Sequence, residues 1–104
     1  QANFEGLDSK TFRALSDQAI QKIGSGVLVL FNDAGQKVSL ICKVSEDWVA
    51  KGLDAGKVVS ELAQILGGRG GGRKNMAQAG GNEPHKIPQA MQKTPELLKS
   101  MLGE

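Results

Sequence analysis

The chain has one cysteine, one histidine, no tyrosine, and only three phenylalanines and one tryptophan in 104 residues. A single thiol, Cys42, closes no internal disulfide, so folding rests on a packed core and a reducing, cytoplasmic setting is expected. Cys42 sits at an apolar-face position of a predicted strand, with no base or cation motif beside it, and reads as a buried, inert thiol. His85 follows Pro84 in a turn and has no second histidine, cysteine or carboxylate at ligand spacing, so no metal site is expected and a surface or helix-entry histidine is. With so few aromatics, Trp48 reads as a packing residue before a base-stacking platform. No apolar run approaches the roughly 18 residues that would indicate a membrane span, and no signal or transit pattern opens the chain. The sequence starts without methionine, inside a predicted short strand at 2–4, and a piece excised from a larger protein is expected.

What the chain has is glycine, and it is concentrated. Residues 67–81 read Gly-Gly-Arg-Gly-Gly-Gly-Arg-Lys-Asn-Met-Ala-Gln-Ala-Gly-Gly and hold 7 of the 14 glycines. They also carry Arg69, Arg73 and Lys74 with no acid. Residues 1–66 contain 7 basic and 8 acidic groups and residues 82–104 contain 3 of each, so the net charge of +2 lies almost wholly in this stretch. So small a net charge does not mark the whole surface as nucleic-acid-binding; the local excess does mark this segment. Bare N–H groups beside guanidinium and ammonium groups suit phosphate, and glycine at this density implies unusual backbone angles or close approach to something. The same composition also fits a tight backbone turn against a sheet with solvated basic residues.

The length allows one domain, 1–104, with a modest core. Asp8 or Ser9 caps a helix to about Ile23, with Phe12, Leu15, Ala19 and Ile23 on one face and Gly24 as the stop. Residues 27–31 form a continuous apolar run, an inner strand covered on both faces. A turn at 32–35 leads to an alternating strand at 37–44, with Val38, Leu40, Cys42 and Val44 on one side and Ser39, Ile41 and Lys43 on the other. Asp54 caps a second helix over 55–66, ended by Gly67. The glycine-rich loop follows, with a short strand within 76–79. After Pro84, residues 87–92 are helical, and Thr94-Pro95 restarts a last helix through Leu102. The expected fold class is α/β (α+β): a small mixed or antiparallel sheet with helices packed on it.

Several chemistries fail on spacing. From Gly67 to Gly72 the phosphate-loop pattern almost fits, but Arg73-Lys74 stands where Lys-Ser/Thr belongs, and the loop follows a helix instead of a strand. The dinucleotide fingerprint from Gly68 puts Arg73 at its third glycine. A disordered Arg-Gly-Gly tract is represented by one unit only. Glu46-Asp47 read as a solvated loop or helix start before an acid–base pair, and Lys51 and Lys57 as solvated lysines that at most extend the basic surface. No nucleophile–base pair or catalytic dyad emerges, so no catalysis by this chain alone is expected.

Gly-Gly-Arg-Gly-Gly-Gly-Arg followed by Met-Ala-Gln-Ala-Gly-Gly resembles the glycine-rich signature of the DHH-associated domain, in the version found at the C-terminus of alanyl-tRNA synthetases. The likeness extends to residues 26–30, 37–40, 51–53 and 55–56, and so covers nearly the whole chain. The family usually has proline and an acid before the methionine, where this chain has Lys74-Asn75. The resemblance implies an accessory domain that contacts the outer corner of tRNA and helps couple aminoacylation with editing. Arg69, Arg73 and Lys74 would then meet the RNA backbone, the amides of Gly70, Gly71 and Gly72 would allow close approach, and Gln78 would add a hydrogen bond. It also implies a parent ligase whose ATP, magnesium and zinc chemistry lies outside these residues, with other domains of that parent, and in one reading a second copy of the chain, as further partners. Two alternatives remain: the substrate-clamping domain of a DHH phosphoesterase, whose members place histidine where Arg73 stands, and a domain-docking or dimerisation module.

Overall fold

The computed structural model describes residues 2–103. In chain order the elements are β1 (Ala2–Glu5), α1 (Ser9–Ile23), β2 (Val27–Asp33), β3 (Val38–Val44), α2 (Glu46–Ala50), α3 (Ala55–Ile65), β4 (Arg69–Gly72), β5 (Met76–Gly81), a single 3-10 turn (Pro84–Lys86) and α4 (Ile87–Met101). The sheet order is β1-β2-β3-β5-β4. β1 pairs with β2 in parallel through the α1 crossover, and every other pairing is antiparallel. The sheet is therefore mixed, one of the two forms expected, and helices pack on both of its faces.

Local signals set most boundaries. The Asp8 carboxylate accepts from the Thr11 N–H at 2.7 Å and caps α1. Hydrogen bonds from the backbone and then the side chain of Thr11 hold its pKa below the ordinary carboxylate value. Gly24, at φ 73°, ends the helix with its N–H on the Ile20 carbonyl. Asp54 caps α3 by accepting from the Lys57 N–H at 3.3 Å. Of the expected face of α1, Phe12 is buried and Leu15 and Ala19 are half-buried, but Ile23 is 46% exposed; Ser16, buried, and Ile20, half-buried, complete the covered side.

Alternation along the strands divides the interior in two. Val29 and Phe31 of β2, Val38, Leu40, Cys42 and Val44 of β3, and Ala77 of β5 face α3 and α4, where Val58, Val59, Leu62, Ile87 and Ala90 close the main core. On the other face Leu28, Leu30 and Ile41 meet Phe12 of α1. β2 is covered on both faces as its unbroken apolar run requires. β3, expected to be half-buried, also has Ile41 buried beneath α1.

Two elements depart from the sequence expectation, at Asn32 and at 87–101, and of the two readings of Glu46-Asp47 the helix start is the one realised. Asn32 belongs to β2 instead of a turn and is buried; its Nδ2 donates to the Leu7 carbonyl at 2.7 Å, and its Oδ1 accepts from the Leu7 N–H at 3.2 Å. That exchange replaces the backbone pairing lost where the chain leaves β1. A short helix, α2, occupies 46–50, with Glu46 and Asp47 in its first turn. Asp47 accepts hydrogen bonds from Ser25 and Ser45, which lower its pKa. Finally, residues 87–101 form one helix and not two. Pro95 lies inside it, and Thr94, expected as a cap, is buried with its hydroxyl donating to the Ala90 carbonyl at 2.9 Å. Packing of Ile87, Ala90, Leu97, Leu98 and Met101 on the core keeps the helix continuous where proline alone would end it.

Cys42 lies in the main core with no exposed surface. Burial, reinforced by the Asp54 charge, pushes its thiol up to about 12. The folded state thus binds one more proton than the unfolded chain between the free-thiol value, about 8.5, and the folded one. Stability from this group is complete below that window and declines as pH rises through it. In a thiol titration at pH 8, Cys42 is expected to be silent in the native protein and to react fully in denaturant; rapid native labelling would contradict this placement.

Candidate nucleic-acid interface

The glycine segment is not a loop. It forms a hairpin, with β4 at the edge of the sheet and β5 between β4 and β3. Arg69 pairs with Gly80, Gly70 with Ala79, Gly71 with Gln78 and Gly72 with Ala77. Several of the segment's glycines are required by close approach. A Cβ at Gly68 would lie 1.8 Å from the Gly80 carbonyl oxygen, and one at Gly70 would lie 2.1 Å from the Ala79 Cβ. The third glycine of the triplet behaves alike: at Gly72 a Cβ would come within 2.6 Å of the Met76 carbonyl oxygen. Gly71 is different, because a Cβ there meets nothing within 4 Å.

The hairpin tip is held by backbone bonds. The Arg73 N–H donates to the Met76 carbonyl at 2.8 Å, and the Val44 N–H donates to the Asn75 carbonyl at 2.9 Å. The first amides of α3 reach the same turn: Ala55 donates to the Lys74 carbonyl at 2.9 Å and Gly56 to the Arg73 carbonyl at 3.1 Å. That helix N-terminus is thus spent on the hairpin, while the side chains of Arg73 and Lys74 are exposed to solvent. Asn75, one of the two departures from the family pattern, fastens the turn to α2 by donating from Nδ2 to Glu46 Oε1 at 3.0 Å.

Paired residues on neighbouring strands point to the same side of a sheet. Arg69 and Gly71 therefore share a face with Gln78 and Gly80 of β5, and with Ser39, Ile41 and Lys43 of β3. This is the α1 side of the sheet. α1 rests on β2 and β3, and Arg69, Gly71, Gln78 and Gly80 are exposed. A depression of about 480 Å³ on this surface is lined by Lys43, Gly71, Gly72, Arg73, Asn75, Met76, Ala77 and Gln78. A smaller one, about 170 Å³, continues from Gln78 to Ser39, Ile41 and the start of α1.

Of the residues expected at the site, the fold brings together Gly71, Gly72, Arg73 and Gln78. Arg69 lies on the same face at the far end of β4, about four residues or roughly 13 Å of extended chain from Arg73. Lys74 occupies the tip, outside the depression, and Gly70 faces Ala79 on the core side. Lys43 joins the site unannounced. Nothing in its strand pattern shows that β5 will place Met76 beside it. Lys51 lies elsewhere, with its ammonium 4.2 Å from the Trp48 ring centre, and Trp48 packs against the core. His85 is exposed in the 3-10 turn near Glu83. Among the described residues no three His, Cys, Asp or Glu side chains are grouped to hold a metal, and no helix is long and apolar enough to cross a membrane.

These features define a small α+β domain with a glycine-built basic hairpin on the edge of its sheet. The DHHA1 domain family matches residues 2–100, and the chain belongs to that family. Its fold is that of the C-Ala domain of Aquifex aeolicus alanyl-tRNA synthetase, with a TM-score of 0.79 and 31% identity over 98% of this chain and 87% of that one. Alanine–tRNA ligases of Clostridioides difficile and Chromohalobacter salexigens are 42% and 46% identical over 95% and 96% of the chain. The chain spans only 11% of the length of either ligase. A DHH-domain protein assigned to a family of ribosomal proteins shares the fold at 20% identity and a TM-score of 0.54, over 80% of this chain and 19% of that one.

Proposed function

We propose that residues 1–104 are a single DHH-associated domain serving as the tRNA-binding accessory domain of a cytoplasmic alanine–tRNA ligase, which holds the outer corner of the tRNA and helps couple aminoacylation with editing. The observation that carries this reading is the well-anchored basic hairpin, with no acid in its own sequence, beside an open sheet face. Arg73 and Gln78 flank a strand there whose Gly71 lets a ribose-phosphate backbone approach closely. Phosphate contacts of this type position RNA and read shape instead of sequence. Homology to alanine–tRNA ligases and to a C-Ala domain supports the ligase parent over a phosphoesterase. Catalysis, with its ATP, magnesium and zinc, would belong to other domains of that parent.

The same hairpin supports a second reading. β4 is an edge strand, and an unpaired edge is a template for pairing with another chain. A docking or homodimer role would use that edge. Fluorescence-anisotropy titration of a folded alanine tRNA across a salt series separates the two. The three phosphate contacts of Arg69, Arg73 and Lys74 are expected to contribute about −2 to −3 to the slope of log K against log salt, and Arg69→Ala/Arg73→Ala should make it shallower by about 1.4–1.8. Absence of binding at low salt would reject RNA contact by this chain and favour docking.

A further inference from the structure

We propose that Lys43 is an additional RNA-backbone ligand and that Asp17 restrains it, so that binding transfers the ammonium from an internal carboxylate to a phosphate. The inference rests on the RNA-binding reading above. Lys43 sits on β3, two strands from the sheet edge, and lines the same depression as Gly71, Arg73 and Gln78. Its register opposite Met76 puts it on the open face of the sheet. That depression has Lys43 and Arg73 as its charged lining residues and no carboxylate. The Lys43 ammonium is nevertheless engaged by the Asp17 carboxylate of α1. The lysine side chain is 14% exposed and the aspartate 54%. The aspartate is therefore the well-solvated partner that can be released to water, while the lysine stem stays fixed against the sheet.

Such an arrangement gives the site two properties. A partly exposed ion pair is weak, and a phosphate offers several strong acceptor oxygens to the same ammonium, so exchange is easy when an RNA backbone occupies the depression. Before that exchange, Asp17 neutralises the inner end of the basic surface, which leaves Arg73 and Lys74 at the hairpin tip as the charges first met by an approaching anion. The contact surface then runs inward from the tip to α1, across β4, β5 and β3.

The test is a double-mutant cycle read by alanine-tRNA anisotropy at fixed salt. Asp17→Asn is expected to tighten binding about three- to tenfold. Lys43→Gln should weaken it by a similar factor and make the salt slope shallower by about 0.7–0.9, one contact. In the Lys43→Gln background, Asp17→Asn should change little. Equal tightening by Asp17→Asn with and without Lys43 would mean a long-range charge effect and overturn the proposal. Asp17→Asn alters an exposed side chain, so its result stands even if Lys43→Gln perturbs packing, which circular dichroism would report. Loss of binding in Arg69→Ala/Arg73→Ala with no response at Lys43 or Asp17 refutes this inference alone. No wild-type binding at low salt refutes it together with the functional reading.

Discussion

Gly68→Ala is expected to destabilise the domain by about 3 kcal/mol or more, lowering the thermal midpoint by roughly 10–20 °C. The added methyl would lie 1.8 Å from the Gly80 carbonyl oxygen and 2.5 Å from the Gly81 Cα. Backbone is what it meets, so no rotamer change relieves the clash. The segment is also fixed from behind, because the Gly68 N–H donates to the Ala63 carbonyl at 2.9 Å. Either β4 leaves β5 or α3 shifts off the sheet, and both exits expose apolar surface of the main core. A midpoint within a few degrees of wild type would show that the hairpin does not pack as described.

Gly71→Leu is expected to do the opposite: leave the melting temperature unchanged or higher, and weaken tRNA binding by tenfold or more. Gly71 has ordinary backbone angles, since it is not among the glycines with positive φ, and a Cβ there meets open space. Removing glycine from a strand lowers the entropy lost on folding and adds a side chain to a pleated surface. The fold therefore gives no reason for glycine at 71, whereas it does at 68, 70 and 72. The reason is sought outside the protein, in a ligand backbone that must lie against the strand beside Arg73 and Gln78. The leucine would stand in that path; tenfold corresponds to about 1.4 kcal/mol of lost contact. Undiminished binding would remove Gly71 from the interface. Paired with Gly68→Ala, the substitution separates glycines that build the hairpin from the one that serves what binds it.

Several elements are legible in the sequence because their causes are local. Asp8 and Asp54 cap helices where a short acceptor side chain precedes an apolar period, and Gly24 stops α1 in a conformation that other residues reach at a cost. The unbroken apolar run from Val27 becomes the doubly covered strand β2. Glu46-Asp47 suit a solvated loop as well as a helix start, and α2 realises the second, with both acids in its first turn. Asn32 departs from its expected turn for a different reason. Its turn preference is real, but a distant backbone, that of Leu7, satisfies its amide inside a strand. Pro95 likewise yields to the packing of α4.

For the site, the sequence alone determined the chemistry: a short, acid-free concentration of glycine, arginine and lysine, without nucleophile or metal set, in a pattern similar to one family. Side-chain type and spacing carry that information directly. Tertiary structure decided the geometry. It turned the expected loop into an edge hairpin, spent the α3 N-terminus on the turn carbonyls, sent Gly70 and Lys74 away from the open face and brought Lys43 into it. Those outcomes depend on strand order and register, which arise from contacts between residues dozens of positions apart and leave no mark on the local pattern.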